Sequence, residues 1–233
     1  MMQIQGLTIR QITFLSAGIA LLIAMGVFIV GRIYQYNKFH KEFRLNDMEM
    51  AFKILAMMGY GVALTFDGIR LLRWIELMIF GAVMLVIASI DKEEKKIPNS
   101  ILYFLAGVRT VGIVAYYIQD DQEGWQIATS AVAGLLVMFV LFTLVRSIFG
   151  KRIGMGDVKL MMLVGYYTGL IVGVKILTLA LLAALYFYFA EAINPDKEVR
   201  KQRMREAISF GPCVAIATIL VYVIGAVAPY IRY

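Results

Sequence analysis

The sequence predicts an all-α fold: a polytopic transmembrane helical bundle of about eight spans, with both termini outside. Three observations lead there. Of 233 residues, 61% are hydrophobic and 17% are charged, against about 45–50% and about 25% in a soluble domain. The mean hydropathy is +0.77. The apolar residues gather into runs near the roughly 20 residues that cross a bilayer as a helix. Lys and Arg counts alternate between high and low in successive connections, as retention of positive charge in the cytoplasm requires. The same composition excludes a disordered or collagen-like chain. One cysteine excludes a disulfide scaffold and a cysteine-based zinc site.

The apolar runs give the elements in order. Ile12–Gly31 comes first. Its apolar core exceeds the 7–15 residues of a cleaved signal peptide, and its basic flank follows it, so a retained anchor is expected. Ala51–Phe66 is a short span with Lys53 near its start, and Trp74–Ile90 follows. Beyond a charged loop come Ser100–Ile118 and Ile127–Val145. Val158–Ala190 is one run broken only by Lys159 and Lys175. As a single helix it would be about 50 Å long, against about 30 Å of hydrocarbon. It is therefore expected to be two short spans, turning near Gly169–Gly173. Phe210–Tyr230 is the last span.

Lysine and arginine fix the expected topology. From the N-terminus, successive connections hold one, four, two, three, none, four, one, five and one of them. The strict alternation favours eight crossings over seven. It also accounts for the net charge of +7 through retained basic loops, so nucleic acid is not an expected partner. The basic run Lys197–Arg205 suits contact with anionic membrane lipids. Neither of the longest polar connections, Arg32–Met50 and Asn194–Ser209, is long enough for a folded soluble domain. No internal repeat is visible.

Most acidic residues lie well out in loops, but two do not. Asp91 directly follows the run Met84–Ile90, and Asp157 directly precedes Val158–Val164. Ionisable groups so close to hydrocarbon are costly and often functional. Two complete spans separate them, and an even number of crossings returns the chain to the same face. Both carboxylates are thus expected on the cytoplasmic side. If they approach each other, the pair shares one proton. One carboxylate then takes a proton from water while the other donates to a carbonyl. Peptide hydrolysis by that route needs no covalent intermediate, metal or cofactor. The structural alternatives are that Asp157 is an N-cap of the following helix and that Asp91 is only the first interfacial residue after a span.

The flanking residues bear on that choice. Asp157 lies in Gly154-Met155-Gly156-Asp157-Val158-Lys159. The two glycines permit backbone angles closed to other residues and close approach by a substrate strand. Six residues after Asp91 comes Ile97-Pro98-Asn99, a natural stop and N-cap before the next helix. Together, in this order, these segments resemble the prepilin peptidases, the GxGD family of membrane aspartic proteases. Ser209-Phe210-Gly211-Pro212 resembles the late Gly-Pro element of that family. The resemblance covers roughly Trp74–Ala228.

The resemblance implies a single integral membrane peptidase domain over 1–233, with N-terminal spans over 1–73 and a catalytic core over 74–230. It implies removal of a short basic leader from type IV prepilins or pseudopilins at the cytoplasmic face of the plasma membrane. Asp91 and Asp157 carry over as the catalytic pair. Gly154, Gly156, Lys159 and Pro98 carry over as the active-site loops, Lys159 with a role at the membrane surface. The chain also departs from the family pattern. Many bacterial members carry a zinc-binding insert with paired cysteines between the first two spans, and they N-methylate the new N-terminus. Arg32–Met50 stands there instead, without a cysteine, so a peptidase without methyltransferase activity is expected. An archaeal-type preflagellin peptidase is the near alternative. A small transporter or channel, with Asp91, Asp157 and Arg109 as a polar pathway, is the distant one; one-sided aspartates and the lack of an inverted repeat argue against it.

Five further residues carry no expected catalytic role. Arg109 falls inside the fourth span, to pair with a carboxylate or carbonyl or to snorkel outward. Glu76 and Glu191 are expected to be interfacial, His40 solvated, and Cys213 a packing residue.

Overall fold

The computed structural model describes residues 9–39, 47–66, 70–149, 154–192 and 209–227. Among them there are seven helices and no strand: α1 (Ile9–Phe39), α2 (Asp47–Phe66), α3 (Leu71–Glu94), α4 (Asn99–Gln119), α5 (Asp121–Phe149), α6 (Met155–Ala192) and α7 (Phe210–Val227). The predicted all-α architecture is found. Six of the helices, α1 to α6, are long and apolar enough to cross a membrane, and α7 contains a shorter apolar helix, Phe210–Ala226. The chain is built as a multi-pass membrane protein. Several helices outrun the apolar stretches that announced them; α3 continues to Glu94, past the expected end at Ile90. His40, Lys151, Arg152 and the run Lys197–Arg205 lie outside the described residues, as does the side chain of Glu191.

The chain divides into two compact units. One comprises 1–86 and 218–233, the other 87–217. In the first, α1, α2 and most of α3 pack through small residues. A Cβ on Gly61 would meet that of Ala20 at 2.7 Å, and one on Gly81 would meet the Tyr60 ring at the same distance. The Trp74 indole N–H donates to the Gly61 carbonyl at 3.1 Å and to Thr65 Oγ1 at 3.2 Å. Tyr60 stacks edge-on against Tyr222. Glu76 is buried and accepts from Arg73 Nη1 at 2.7 Å. Lys53 reaches Glu49 one turn back at 3.0 Å.

The second unit contains the end of α3, all of α4, α5 and α6, and the start of α7. Gly134 of α5 and Gly165 of α6 face each other so closely that a Cβ on either would strike the other's backbone. Small residues let membrane helices approach in this way. Four residues on, α6 breaks at Gly169, which has φ 75° and ψ −176°. Only glycine adopts that conformation without strain. Past the break the chain doubles back: a Cβ on Gly173 would lie 3.5 Å from Gly165 Cα, whereas eight residues of straight helix rise about 12 Å. The turn expected near Gly169–Gly173 is therefore present.

The break takes away the helical partner of one main-chain carbonyl, that of Tyr166, and α4 supplies a donor for it. Arg109 is only 4% exposed. Its Nε donates to the Tyr166 carbonyl at 3.3 Å, whose helical partner at position 170 lies beyond the break. The guanidinium also stands 6.0 Å from the centroid of the Tyr167 ring. The Tyr167 hydroxyl donates to the Leu105 carbonyl at 2.8 Å, and Thr168 Oγ1 donates to that of Val164 at 2.8 Å. Of the two roles open to Arg109 in the sequence, pairing with a carbonyl is the one found. A cation at a helix C-terminus is also favoured by the helix dipole.

Candidate active site

All six candidate site residues fall in the second unit. Asp91 lies in the last turn of α3 and Asp157 in the first turn of α6. Both are buried, at 4% and 7% exposure, and Asp157 lies within electrostatic reach of Asp91. Two helix ends distant in sequence thus carry buried carboxylates that influence each other electrostatically.

Each carboxylate accepts from the amide of a glycine at the start of a helix. The Gly154 N–H, immediately before α6, donates to Asp157 Oδ2 at 2.9 Å. Asp157 is the third residue of α6, so this is the reach-back half of a capping box and not the N-cap considered from sequence. The Gly211 N–H, in the first turn of α7, donates to Asp91 Oδ2 at 2.9 Å. The first four amides of a helix have no partner within it and carry its positive end. Asp91 therefore satisfies the start of α7 from a different helix. A Cβ on Gly211 would lie 3.0 Å from both Cβ and Oδ2 of Asp91, so only glycine leaves the carboxylate where it is.

The loops differ in detail from the sequence expectation. Neither Gly154 nor Gly156 has positive φ; among the described residues Gly169 is the glycine that does. Gly156 serves by its size, since a Cβ there would come 3.2 Å from Ile97 Cβ. Pro98 is buried and occupies the N-cap position of α4, with φ −69° and ψ 124°. Its carbonyl accepts from the N–H groups of Ile101 and Leu102. Asn99 is the first helical residue, and no side chain caps α4. The Asn99 amide oxygen instead accepts from Lys159 Nζ at 3.0 Å. Lys159 is exposed and binds the start of α4 to the start of α6.

The sequence reading missed two cations near the pair, and the contact that Ser209 makes there. Lys95 lies within electrostatic reach of Asp91, and Arg146 within that of Asp157. Ser209 Oγ donates to the main-chain carbonyl of Asp91 at 3.2 Å. The contacts of Arg146 and Ser209 carry no local signal, because their partners come from other helices, whereas Lys95 follows Asp91 by four residues at the end of the same helix. Cys213 is buried as expected and also lies near both carboxylates. Among the described residues no three His, Cys, Asp or Glu side chains gather as a metal site.

Chemically, the arrangement sets two buried carboxylates within electrostatic reach of each other at the ends of apolar helices, each accepting from a main-chain amide. The model of the type IV leader peptidase family matches residues 78–193, a stretch that holds both aspartates, Pro98 and the Gly154–Lys159 segment. The prepilin leader peptidase/N-methyltransferase of Bacillus subtilis (strain 168) is 27% identical over 153 residues, covering 64% of this chain and 55% of that protein. The chain thus spans just over half the length of the curated relative it matches. No solved structure matches the chain. The chain belongs to the type IV leader peptidase family.

Proposed function

We propose that the protein is an aspartic endopeptidase that removes the short basic leader of type IV prepilin-like proteins, with Asp91 and Asp157 as its catalytic pair. The observation that carries this reading is that two buried carboxylates, each anchored by a helix-start amide, lie within electrostatic reach of each other. Two such groups cannot both ionise cheaply, so the pair holds one proton between them. The ionised member takes a proton from water, and that oxygen attacks the scissile carbonyl. The protonated member donates to the carbonyl oxygen. Collapse of the tetrahedral intermediate breaks the C–N bond, and the amine leaves with a proton from the pair. No covalent bond to the enzyme forms.

In this reading the protein is one peptidase domain of eight spans in the plasma membrane, with α6 supplying two of them. Both termini face outside, and the pair lies at the cytoplasmic rim. Alternating basic connections support that topology. Gly154, Gly156, Lys159 and Pro98 form the loops around the pair. The substrate's own apolar helix confines it to the bilayer beside the enzyme, and its junction unwinds to expose a carbonyl. Absence of cysteine between α1 and α2 supports a peptidase without N-methyltransferase activity.

The test is purified protein in liposomes with a prepilin-like substrate, the products read by mass spectrometry. A single cut between leader and apolar helix is expected, abolished by Asp91→Asn and by Asp157→Asn. An intact substrate, with ion or solute flux that either replacement removes, would favour the transporter reading instead.

A further inference from the structure

α3 ends in an unusual way. Lys95 has φ 52°, a left-handed conformation uncommon in residues with long side chains. Its N–H still donates to the Asp91 carbonyl at 3.0 Å. Its Nζ donates to Ser209 Oγ at 2.7 Å, and Ser209 Oγ in turn donates to the same Asp91 carbonyl. Lys95, Ser209 and Asp91 thereby close a ring across 114 residues of chain.

Ser209 immediately precedes α7. A serine there ordinarily accepts from an amide two or three residues onward. Here the third is Pro212, which has no N–H, and the second, Gly211, gives its N–H to Asp91 Oδ2. With the local partners removed, the Ser209 hydroxyl is engaged by Lys95 and the Asp91 carbonyl. The Ser209–Gly211 segment thus holds Asp91 at two points, main chain and carboxylate.

Resting on the protease reading, we propose that Lys95 and Ser209 are positioning residues for the reaction: a clasp that pins the start of α7 to the end of α3 and so fixes the Asp91 carboxylate. Neither touches the reacting atoms. Their effect passes through Asp91, whose displacement by a fraction of an ångström slows a reaction that depends on two carboxylates meeting one water.

The experiment uses the full chain in liposomes with a prepilin-like substrate and compares Ser209→Ala, Lys95→Met, the double variant and Ser209→Thr. Ser209→Ala is expected to lower kcat about tenfold with KM unchanged. Lys95→Met lowers it less, the double variant falls no further than Ser209→Ala, and Ser209→Thr restores most of the rate because it keeps the hydroxyl. If Ser209→Ala does not fold, Lys95→Met and Ser209→Thr carry the same comparison. Wild-type kcat in Ser209→Ala, or in Lys95→Met when that variant stands alone, overturns the clasp while leaving the protease reading intact. So does a loss confined to KM. A wild-type chain that cuts nothing removes the protease reading itself, and the clasp with it.

Discussion

The main-chain N–H of Gly211 donates to Oδ2 of Asp91 at 2.9 Å, across 120 residues of sequence. The contact joins the end of one helix to the start of another, and it ties the position of a catalytic candidate to a residue that cannot carry a side chain. A Cβ at 211 would lie 3.0 Å from the Asp91 Cβ and carboxylate oxygen alike. Gly211→Ala is therefore expected to cut the rate of leader removal by about tenfold or more, as misplacement of catalytic groups does. Circular dichroism and gel filtration should show the fold retained. An unchanged rate would mean that the Asp91 carboxylate does not depend on this contact.

Gly169 offers a test of the fold independent of activity. Its φ of 75° and ψ of −176° belong to a region that costs other residues about 1–3 kcal/mol. A Cβ there would also sit 2.7 Å from Ser130 Oγ. Gly169→Ala is expected to lower stability by at least that amount, read as an earlier midpoint in denaturant or detergent unfolding. Equal stability would indicate a continuous helix through this position.

The two faces of the second unit predict opposite signs for one kind of substitution. A Cβ on Gly134 meets backbone of α6, while one on Gly107 of α4 has nothing within 4 Å. Gly134→Ala is expected to destabilise, because backbone cannot turn aside as a side chain can. Gly107→Ala is expected to stabilise by about 0.5–1 kcal/mol through helix propensity. Unfolding midpoints of the two variants against the parent decide it; the same sign for both would contradict the described α5–α6 crossing.

The exposed Lys159–Asn99 contact should contribute little to stability. Its bond length is 3.0 Å, but solvent competes for both groups, so a double-mutant cycle of the alanine variants is expected to give a coupling of about 0.5–1.5 kcal/mol at most. A larger value would make the pair a structural strut between α4 and α6.

Much of this was readable from residue order. The apolar lengths located the helices, and the excess of Val158–Ala190 over a bilayer thickness foretold the break that falls at Gly169. Asp91 and Asp157 stood out because each directly borders an apolar run. What escaped the sequence lies between elements. Asn99 reads as a cap, yet its oxygen goes to Lys159, because a side chain from α6 competes for it. Arg109 could have turned to a carboxylate or to lipid, and only the break in α6 shows why a carbonyl awaits it. The contact between Lys95 and Ser209 has no signal in the sequence, because it exists only where α3 and α7 meet. Helix ends were also missed, since α3 continues a turn past the last apolar residue.

The central claim is that Asp91 and Asp157 act as one unit on one water. The most direct measurement is the cleavage rate of Asp91→Asn, Asp157→Asn and the double variant on the same prepilin-like substrate, in one lipid composition. The account predicts that each single replacement costs about a thousandfold and that the double variant is no slower than either. A single variant that keeps the wild-type rate, or a double variant whose loss is the product of the two, would contradict it.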